Sequence, residues 1–279
     1  MGQTVYKAKE DPTYQKVYID IEHLHTTDKT KGDETMAITE ETRQSELYRE
    51  ITAEFSKSVG VQMMERMKVE QAQKVRNFRT LNAMAEPGGI LFTGSSLMEQ
   101  FPVVEMAVSA GVKARVYNRG IGGTTTDDFL REIDTVLLDL APSKVFINIG
   151  TNDMTDRVYG DAWKEHLEAN YEKILQIAKE KIPEAEIYCM AYYPTNHHLP
   201  DQNEWTYAML KDRTKENIAE CSARVKALAE KYGYHYIDVN EGLYDEIGEQ
   251  KKEYAIDGVH MIAEAYKVVF ENLKPYLPL

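Results

Sequence analysis

The alternation of apolar and polar positions changes character near residue 86. Between Glu41 and Ala85 the apolar residues recur at helical spacing. Leu47, Ile51, Phe55 and Val59 fall four apart, the stripe of an amphipathic helix. Gly60 should break or bend that helix, and Met63, Met64, Met67, Val75, Phe78, Leu81 and Met84 mark a second helical stretch. Methionines at such spacing fill core and interface gaps. The region is therefore expected to pack on the domain that follows or on a second copy of the chain. Beyond Glu86-Pro87-Gly88-Gly89, short apolar runs alternate with longer amphipathic ones. They predict strands at 90–93, 114–118, 144–149, 186–191 and 235–239. Helices are predicted at 103–110, 126–140, 162–181, 204–232 and 263–276. Five strands alternating with helices, joined by right-handed crossovers, give a parallel sheet covered on both faces, a three-layer α/β/α sandwich. The division expected is an N-terminal arm and helical extension over 1–85 and an α/β domain over 86–279.

Open parallel sheets place their sites beyond the carboxyl ends of the strands. The first strand runs through Ile90-Leu91-Phe92-Thr93 into Gly94-Ser95-Ser96 and then into helix-favouring Leu97-Met98-Glu99-Gln100. Backbone N–H groups are free where such a turn meets a helix, so a serine there can act as a nucleophile and its own N–H can receive an oxyanion. Taken alone, the same serines could merely cap the helix. Two more polar turns follow the next two strands, Asn118-Arg119-Gly120-Ile121-Gly122-Gly123-Thr124 and Asn148-Ile149-Gly150-Thr151-Asn152-Asp153. Near the carboxyl end, Asp257-Gly258-Val259-His260 sets a carboxylate within one turn of an imidazole. A serine hydroxyl needs such a base, and the base needs an orienting acceptor on its other ring nitrogen.

Together, and in this order, the four stretches resemble the blocks of the SGNH (GDSL-type) serine esterase family: Gly-Asp-Ser, a turn glycine, Gly-x-Asn-Asp and Asp-x-x-His. The resemblance covers roughly residues 88 to 275. It departs at one position, Ser95, where the family has aspartate. It implies a flavodoxin-like SGNH hydrolase fold and a triad of Ser96, His260 and Asp257. It also implies an oxyanion hole from the N–H groups of Ser96 and Gly123 and the amide of Asn152. No cofactor and no metal are implied. Short-acyl esters, including acetylated carbohydrates, are the leading substrates. A lysophospholipase or thioesterase, or a non-catalytic module binding a small ligand or sugar on the same fold, are the alternatives. Arg119 and, in the loop after the fourth strand, Tyr193 and His197 are candidates to line the substrate pocket.

Composition narrows the partners. The chain has 279 residues and a net charge of −13, which argues against binding nucleic acid through a basic face. No apolar run is long enough for a membrane span, and the amino terminus lacks the core of a secretory signal, so a cytoplasmic location is expected unless a signal was trimmed. Two scattered cysteines, Cys189 and Cys221, read as reduced core residues. His23 and His25 would share a strand face, but with no further ligand nearby they do not make a metal site. No P-loop, zinc motif or Gly-x-Ser-x-Gly elbow is present. A homo-oligomer through the N-terminal helices is a further expectation.

Overall fold

The computed structural model describes residues 46–199 and 204–279. His23, His25 and the amino-terminal arm lie outside the described residues. The chain divides into two compact units, residues 1–67 and 68–279. Helix α1 (Glu46–Met84) contributes to both and runs without a break. Gly60 therefore does not end it: one glycine costs a long helix only about 1 kcal/mol relative to alanine. Val75 is buried and Phe78 packs against the core, but Met63, Met64, Leu81 and Met84 are exposed, so these methionines are not core residues.

In the second unit β1 (Ile90–Gly94), β2 (Val116–Asn118), β3 (Lys144–Asn148), β4 (Glu186–Met190) and β5 (His235–Ile237) form one parallel sheet in the order β2-β1-β3-β4-β5. Between them lie α2 (Ser96–Glu99), α3 (Val103–Ala110), α4 (Thr126–Arg131), α5 (Asp156–Tyr159), α6 (Trp163–Lys181), α7 (Glu204–Leu210) and α8 (Lys215–Tyr232). Helix α9 (Ala263–Leu273) follows β5. The predicted helix over 126–140 is shorter, ending at Arg131 and resuming as one wide turn over Asp134–Leu138. Thr125 starts α4 with a reciprocal capping box to Asp128. The predicted helix over 204–232 is two helices, broken between Leu210 and Lys215, where Thr214 caps α8 by accepting from Asn217 N–H.

Successive strand residues face opposite sides, so each strand feeds two cores. Leu91, Val145, Ile147, Ile187 and Cys189 pack one way, with Leu167, Tyr171 and Ile174 of α6 and Cys221 and Val225 of α8. Phe92, Phe146, Met190 and Ile237 pack the other way, with Leu97, Val103, Val269 and Phe270. On that second face Phe92, Phe146, Tyr188 and His235 stack in sequence across four strands at centroid distances of 4.6, 4.9 and 4.6 Å. Both cysteines are buried and unpaired, and burial pushes their thiols up to about 12. Among the described residues no helix is long and apolar enough to cross a membrane.

The strand order fixes where a site can form. The crossovers from β1 run to β2 on one side and, through β2, to β3 on the other, so a crevice opens beyond the carboxyl ends of β1 and β3. Register brings the loops level there: Gly94 pairs with Asn148, and Phe92 with Asn118.

Candidate active site

Gly94 ends β1 with φ of +152°, and a Cβ there would sit 1.9 Å from the Asn148 carbonyl oxygen, so only glycine lets β1 and β3 stay paired to their tips. The chain then turns at Ser95, the residue before α2, and Ser96 opens the helix. The two serines part company at this point. Ser95 is buried and its Oγ has no partner. Ser96 Oγ lies 2.8 Å from His260 Nε2. Ser96 N–H, at the first position of the helix, has no intrahelical acceptor to meet.

His260 is presented by a closed turn. Oδ1 of Asp257 accepts from Val259 N–H at 3.0 Å and from His260 N–H at 2.8 Å, which leaves Oδ2 to take the imidazole Nδ1 at 2.6 Å. Gly258 has φ of +90°, and a Cβ there would fall 2.4 Å from the Asn196 carbonyl oxygen. The turn is pinned by Asn196 N–H donating to Gly258 and by Ile256 N–H donating to the His260 carbonyl. Burial alone would raise the Asp257 carboxyl. The hydrogen bonds from the His260 ring and backbone and from Val259 N–H outweigh it and hold the group at about 2. An ionised Asp257 keeps the proton of His260 on Nδ1, and Nε2 is then the acceptor for the Ser96 hydroxyl.

Asn152 sits in a one-turn helix after β3, Thr151–Asp153. Its Nδ2 donates to the Thr124 carbonyl at 2.9 Å, tying the third loop to the second. Its Oδ1 accepts from Arg213 Nη2 at 3.1 Å, and Arg213 Nε donates to the Thr151 carbonyl at 2.9 Å. Two contacts of opposite sense thus fix which end of the amide is which. Arg213 is buried, and burial pulls its guanidinium down to about 10 against the upward pull of Asp257, Asp153 and Asp212. Asp153, next to Asn152, takes the backbone and side-chain hydroxyl of Thr126 and is fully buried, which raises its carboxyl to about 6 despite those bonds.

Arg213 was not among the residues expected from sequence. It lies in the break between α7 and α8 that the periodicity ran straight through. Thr214, with Glu216 in the following turn, was the available helix-start signal.

Two of the three residues expected to line a substrate pocket, Arg119 and Tyr193, are turned into the fold. Arg119 is buried beneath α1, donating to Asn82 Oδ1 and to the Asn118 carbonyl at 2.8 Å each, with its guanidinium over the Phe78 ring. Its donors serve packing, so a role in orienting substrate is not supported by its placement. Tyr193 is a core residue on the second face of the sheet, 2% exposed: the alternation breaks past Met190, so Tyr192 joins the first face and Tyr193 the second. His197 is half-buried, with its N–H on Glu249 and its ring Nε2 3.1 Å from the Arg213 carbonyl oxygen. It braces the loop that carries Arg213.

A doubly covered parallel sheet with Ser, His and Asp in hydrogen-bonded series at its switch point defines an SGNH-type hydrolase architecture. Comparison with known proteins agrees. Residues 100–268, more than half of the chain, match the model of the GDSL-like lipase/acylhydrolase family, and the chain belongs to that family. The matched stretch begins just after α2 and so does not include Ser96. Among solved structures, a putative platelet activating factor from Streptococcus pneumonia is 30% identical, with 78% of this chain and 98% of that chain covered and a TM-score of 0.68. A putative acylhydrolase from Bacteroides fragilis is 22% identical over 72% of this chain and 94% of its own, with a TM-score of 0.59. The acetyl-xylooligosaccharide esterase Axe2 from Geobacillus shares the fold at 19% identity, 68% and 94% coverage and a TM-score of 0.51. No curated protein matches the chain significantly. Family membership makes the protein an ester-hydrolysing enzyme of the GDSL type.

Proposed function

We propose that the protein is a serine esterase that hydrolyses short-acyl esters through an acyl-enzyme intermediate. The observation that carries the reading is the relay itself, Ser96 Oγ to His260 Nε2 at 2.8 Å and His260 Nδ1 to Asp257 Oδ2 at 2.6 Å. In the first half-reaction Ser96 Oγ attacks the ester carbonyl carbon while its proton passes to His260 Nε2. The carbonyl oxygen becomes an oxyanion, and the N–H groups of Ser96 and Gly123 with the Asn152 amide face it. The tetrahedral centre collapses, the C–O bond to the alcohol breaks, and His260 returns the proton to the departing oxygen. In the second half a water gives its proton to His260 and attacks the acyl carbon. Ser96 leaves with that proton and the acid is released. Asp257 stays ionised throughout and stabilises the imidazolium in both halves.

Two features of this chain support the reading beyond the relay. Ser95, standing where the family has aspartate, is sealed from solvent and takes no part, so the departure from the family pattern leaves the nucleophile untouched. Arg213 holds Asn152 Oδ1 and so keeps the amide N–H end available to an oxyanion. The first substrates to screen are acetyl and other short-acyl esters graded by chain length and alcohol, acetylated oligosaccharides among them because Axe2 is described as an esterase of that class. The direct test is labelling with a fluorophosphonate probe, which requires an activated serine. Adduct on Ser96 in the wild type and none in Ser96→Ala is the expected result. A wild-type protein that resists the probe and cleaves no ester would refute the reading.

A further inference from the structure

The two peptides that meet at Gly122 are each held by a side chain from outside their own loop, the Ile121–Gly122 peptide at its N–H and the Gly122–Gly123 peptide at its carbonyl. Gly122 N–H donates to Glu99 Oε2 at 2.5 Å, and the Gly122 carbonyl accepts from Gln71 Nε2 at 2.8 Å. Lys74 Nζ meets the other carboxylate oxygen, Oε1, at 2.5 Å. Gln71 and Lys74 lie three apart on α1 and so share a face. Glu99 closes α2, three residues after Ser96. A Cβ built on Gly122 would stand 3.0 Å from Glu99 Oε2 and 3.6 Å from Ser96 Cβ, so the gripped loop runs directly beside the serine.

The geometry of a peptide turns this grip into a statement about the oxyanion hole. Carbonyl and N–H of one trans peptide point in opposite directions, and the chain has no cis bonds among its described residues. A carbonyl of Gly122 fixed toward Gln71 therefore fixes the N–H of Gly123 the other way. Gly123 has φ of +72°, and no acceptor among the described residues takes its N–H. Two consecutive glycines supply almost no intrinsic preference for that peptide over its flipped form, which would turn a carbonyl oxygen where the N–H now points. The restraint has to come from elsewhere. Donation by Gln71 to the carbonyl also polarises the peptide and strengthens its N–H as a donor.

We propose that Gln71, seconded by the Lys74–Glu99 pair, positions the Gly122–Gly123 peptide for the oxyanion, so that the end of α1 within the second unit is a working part of the active site. Gln71 is a positioning residue acting through Gly123 N–H, and the proposal rests on the serine-esterase reading above. An N–H held in place before charge develops costs no reorganisation when it does. The effect should therefore appear in kcat and not in ground-state binding.

The experiment uses the full chain with Gln71→Met and Gln71→Glu. The first keeps the length of the side chain without its donor, and the second sets a carboxylate against the carbonyl. Glu99→Gln, which breaks the Lys74 pair, is the second handle if either fails to fold. Each is assayed for p-nitrophenyl acetate hydrolysis, for inhibition by methylboronic acid, whose tetrahedral adduct on a serine puts an oxygen in the oxyanion position, and for melting temperature. Gln71→Met should lose on the order of tenfold in kcat, less than the hundredfold or more expected for deleting a donor, with KM within about twofold. Gln71→Glu should lose more, Glu99→Gln should also lose kcat, and boronate affinity should fall in step with kcat in all three. Unchanged kcat and boronate affinity in a folded variant, or a loss of kcat with boronate affinity intact, overturns the proposal. Fluorophosphonate labelling of wild-type Ser96 decides separately whether the esterase reading stands.

Discussion

Replacing Arg213 by methionine tests the oxyanion hole from beneath. The structural cost has two opposing parts. The variant leaves the Thr151 carbonyl and Asn152 Oδ1 without the donors that meet them at 2.9 and 3.1 Å, worth about 1–3 kcal/mol for each group left unpaired. It also removes a cation whose pKa burial has lowered from 12.5 to about 10, a penalty of roughly 3 kcal/mol at ~1.36 kcal/mol per pH unit. Methionine fills much of the space with no charge to desolvate. The two parts partly offset, so Arg213→Met should fold, with stability within roughly 3 kcal/mol of wild type.

Catalysis has no such offset. Without Arg213, the Asn152 amide keeps only its bond to the Thr124 carbonyl and loses the contact that fixes its oxygen end. The ceiling on the loss is that of the donor itself, about a hundredfold to a thousandfold in kcat. We expect Asn152→Ala near that ceiling and Arg213→Met at on the order of tenfold to a hundredfold, both with modest effects on KM. Because Arg213 acts through Asn152, the double variant should match Asn152→Ala within about threefold. Steady-state kinetics on one activated ester for the four proteins, with melting curves as the folding control, gives the coupling directly. Independent losses that multiply in the double variant, or an Arg213→Met enzyme with full kcat, would refute the assignment.

Three further outcomes follow from the same geometry. Ser96→Ala should abolish labelling and hydrolysis, whereas Ser95→Ala, which removes a buried hydroxyl with no partner, should keep both and melt at or above the wild-type temperature; an adduct mapped to Ser95 by mass spectrometry would shift the first motif by one residue. Removing residues 1–67 should leave a folded, active domain, while removing 1–85 strips Val75 from the core and Asn82 from the buried Arg119 and should give aggregation or a clearly lower melting temperature; equal melting of the two truncations would count against it. The third is a pH effect: the Asp153 carboxyl is raised to about 6 by burial, so the folded state keeps a proton that the unfolded chain releases from about pH 4 upward. Its contribution to stability therefore falls as pH rises through that window and is constant above it, and the stability of Asp153→Asn relative to wild type should grow by roughly 2 kcal/mol between pH 4 and 7. A difference that does not vary with pH would show that the carboxyl is not raised.

The sheet was legible because buried parallel strands are short apolar runs, and those runs begin where the structure begins them at Ile90, Lys144, Glu186 and His235. The loops that meet at the switch point were legible for a related reason. Ser96, Asn152 and His260 each sit within a few residues of a strand or helix end whose identity the pattern already announced. Periodicity carries no information about where inside an apolar pattern the chain will break. The α7–α8 junction shows this: Leu210 and Ile218 both belong on the buried side, so a single helix through Arg213 satisfies the pattern as well as two helices do. What decides between them is polar. Thr214 caps α8, and Arg213 finds the Thr151 carbonyl and Asn152 only if the chain leaves the helix before it.

Two of the substrate-pocket candidates, Arg119 and Tyr193, turned inward on the converse ground. Arg119, Tyr193 and His197 were singled out for chemistry at the correct edge of the sheet, yet proximity along the chain does not say which way a side chain turns. Tyr193 turns inward where the alternation of β4 lapses past Met190, and Arg119 turns toward Asn82 and Phe78 of α1. Gln71, on the same helix, escaped notice because its partner is a backbone carbonyl fifty-one positions away. No motif spacing links the two, since one belongs to a helical extension and the other to a glycine turn. The contact exists only because the sheet order brings the loop after β2 against α1. Residues that react sit at the ends of elements and leave a local signature. Residues that hold the reacting groups still, Gln71, Glu99 and Arg213 among them, answer to positions distant in sequence and become visible only when the fold has brought those positions together.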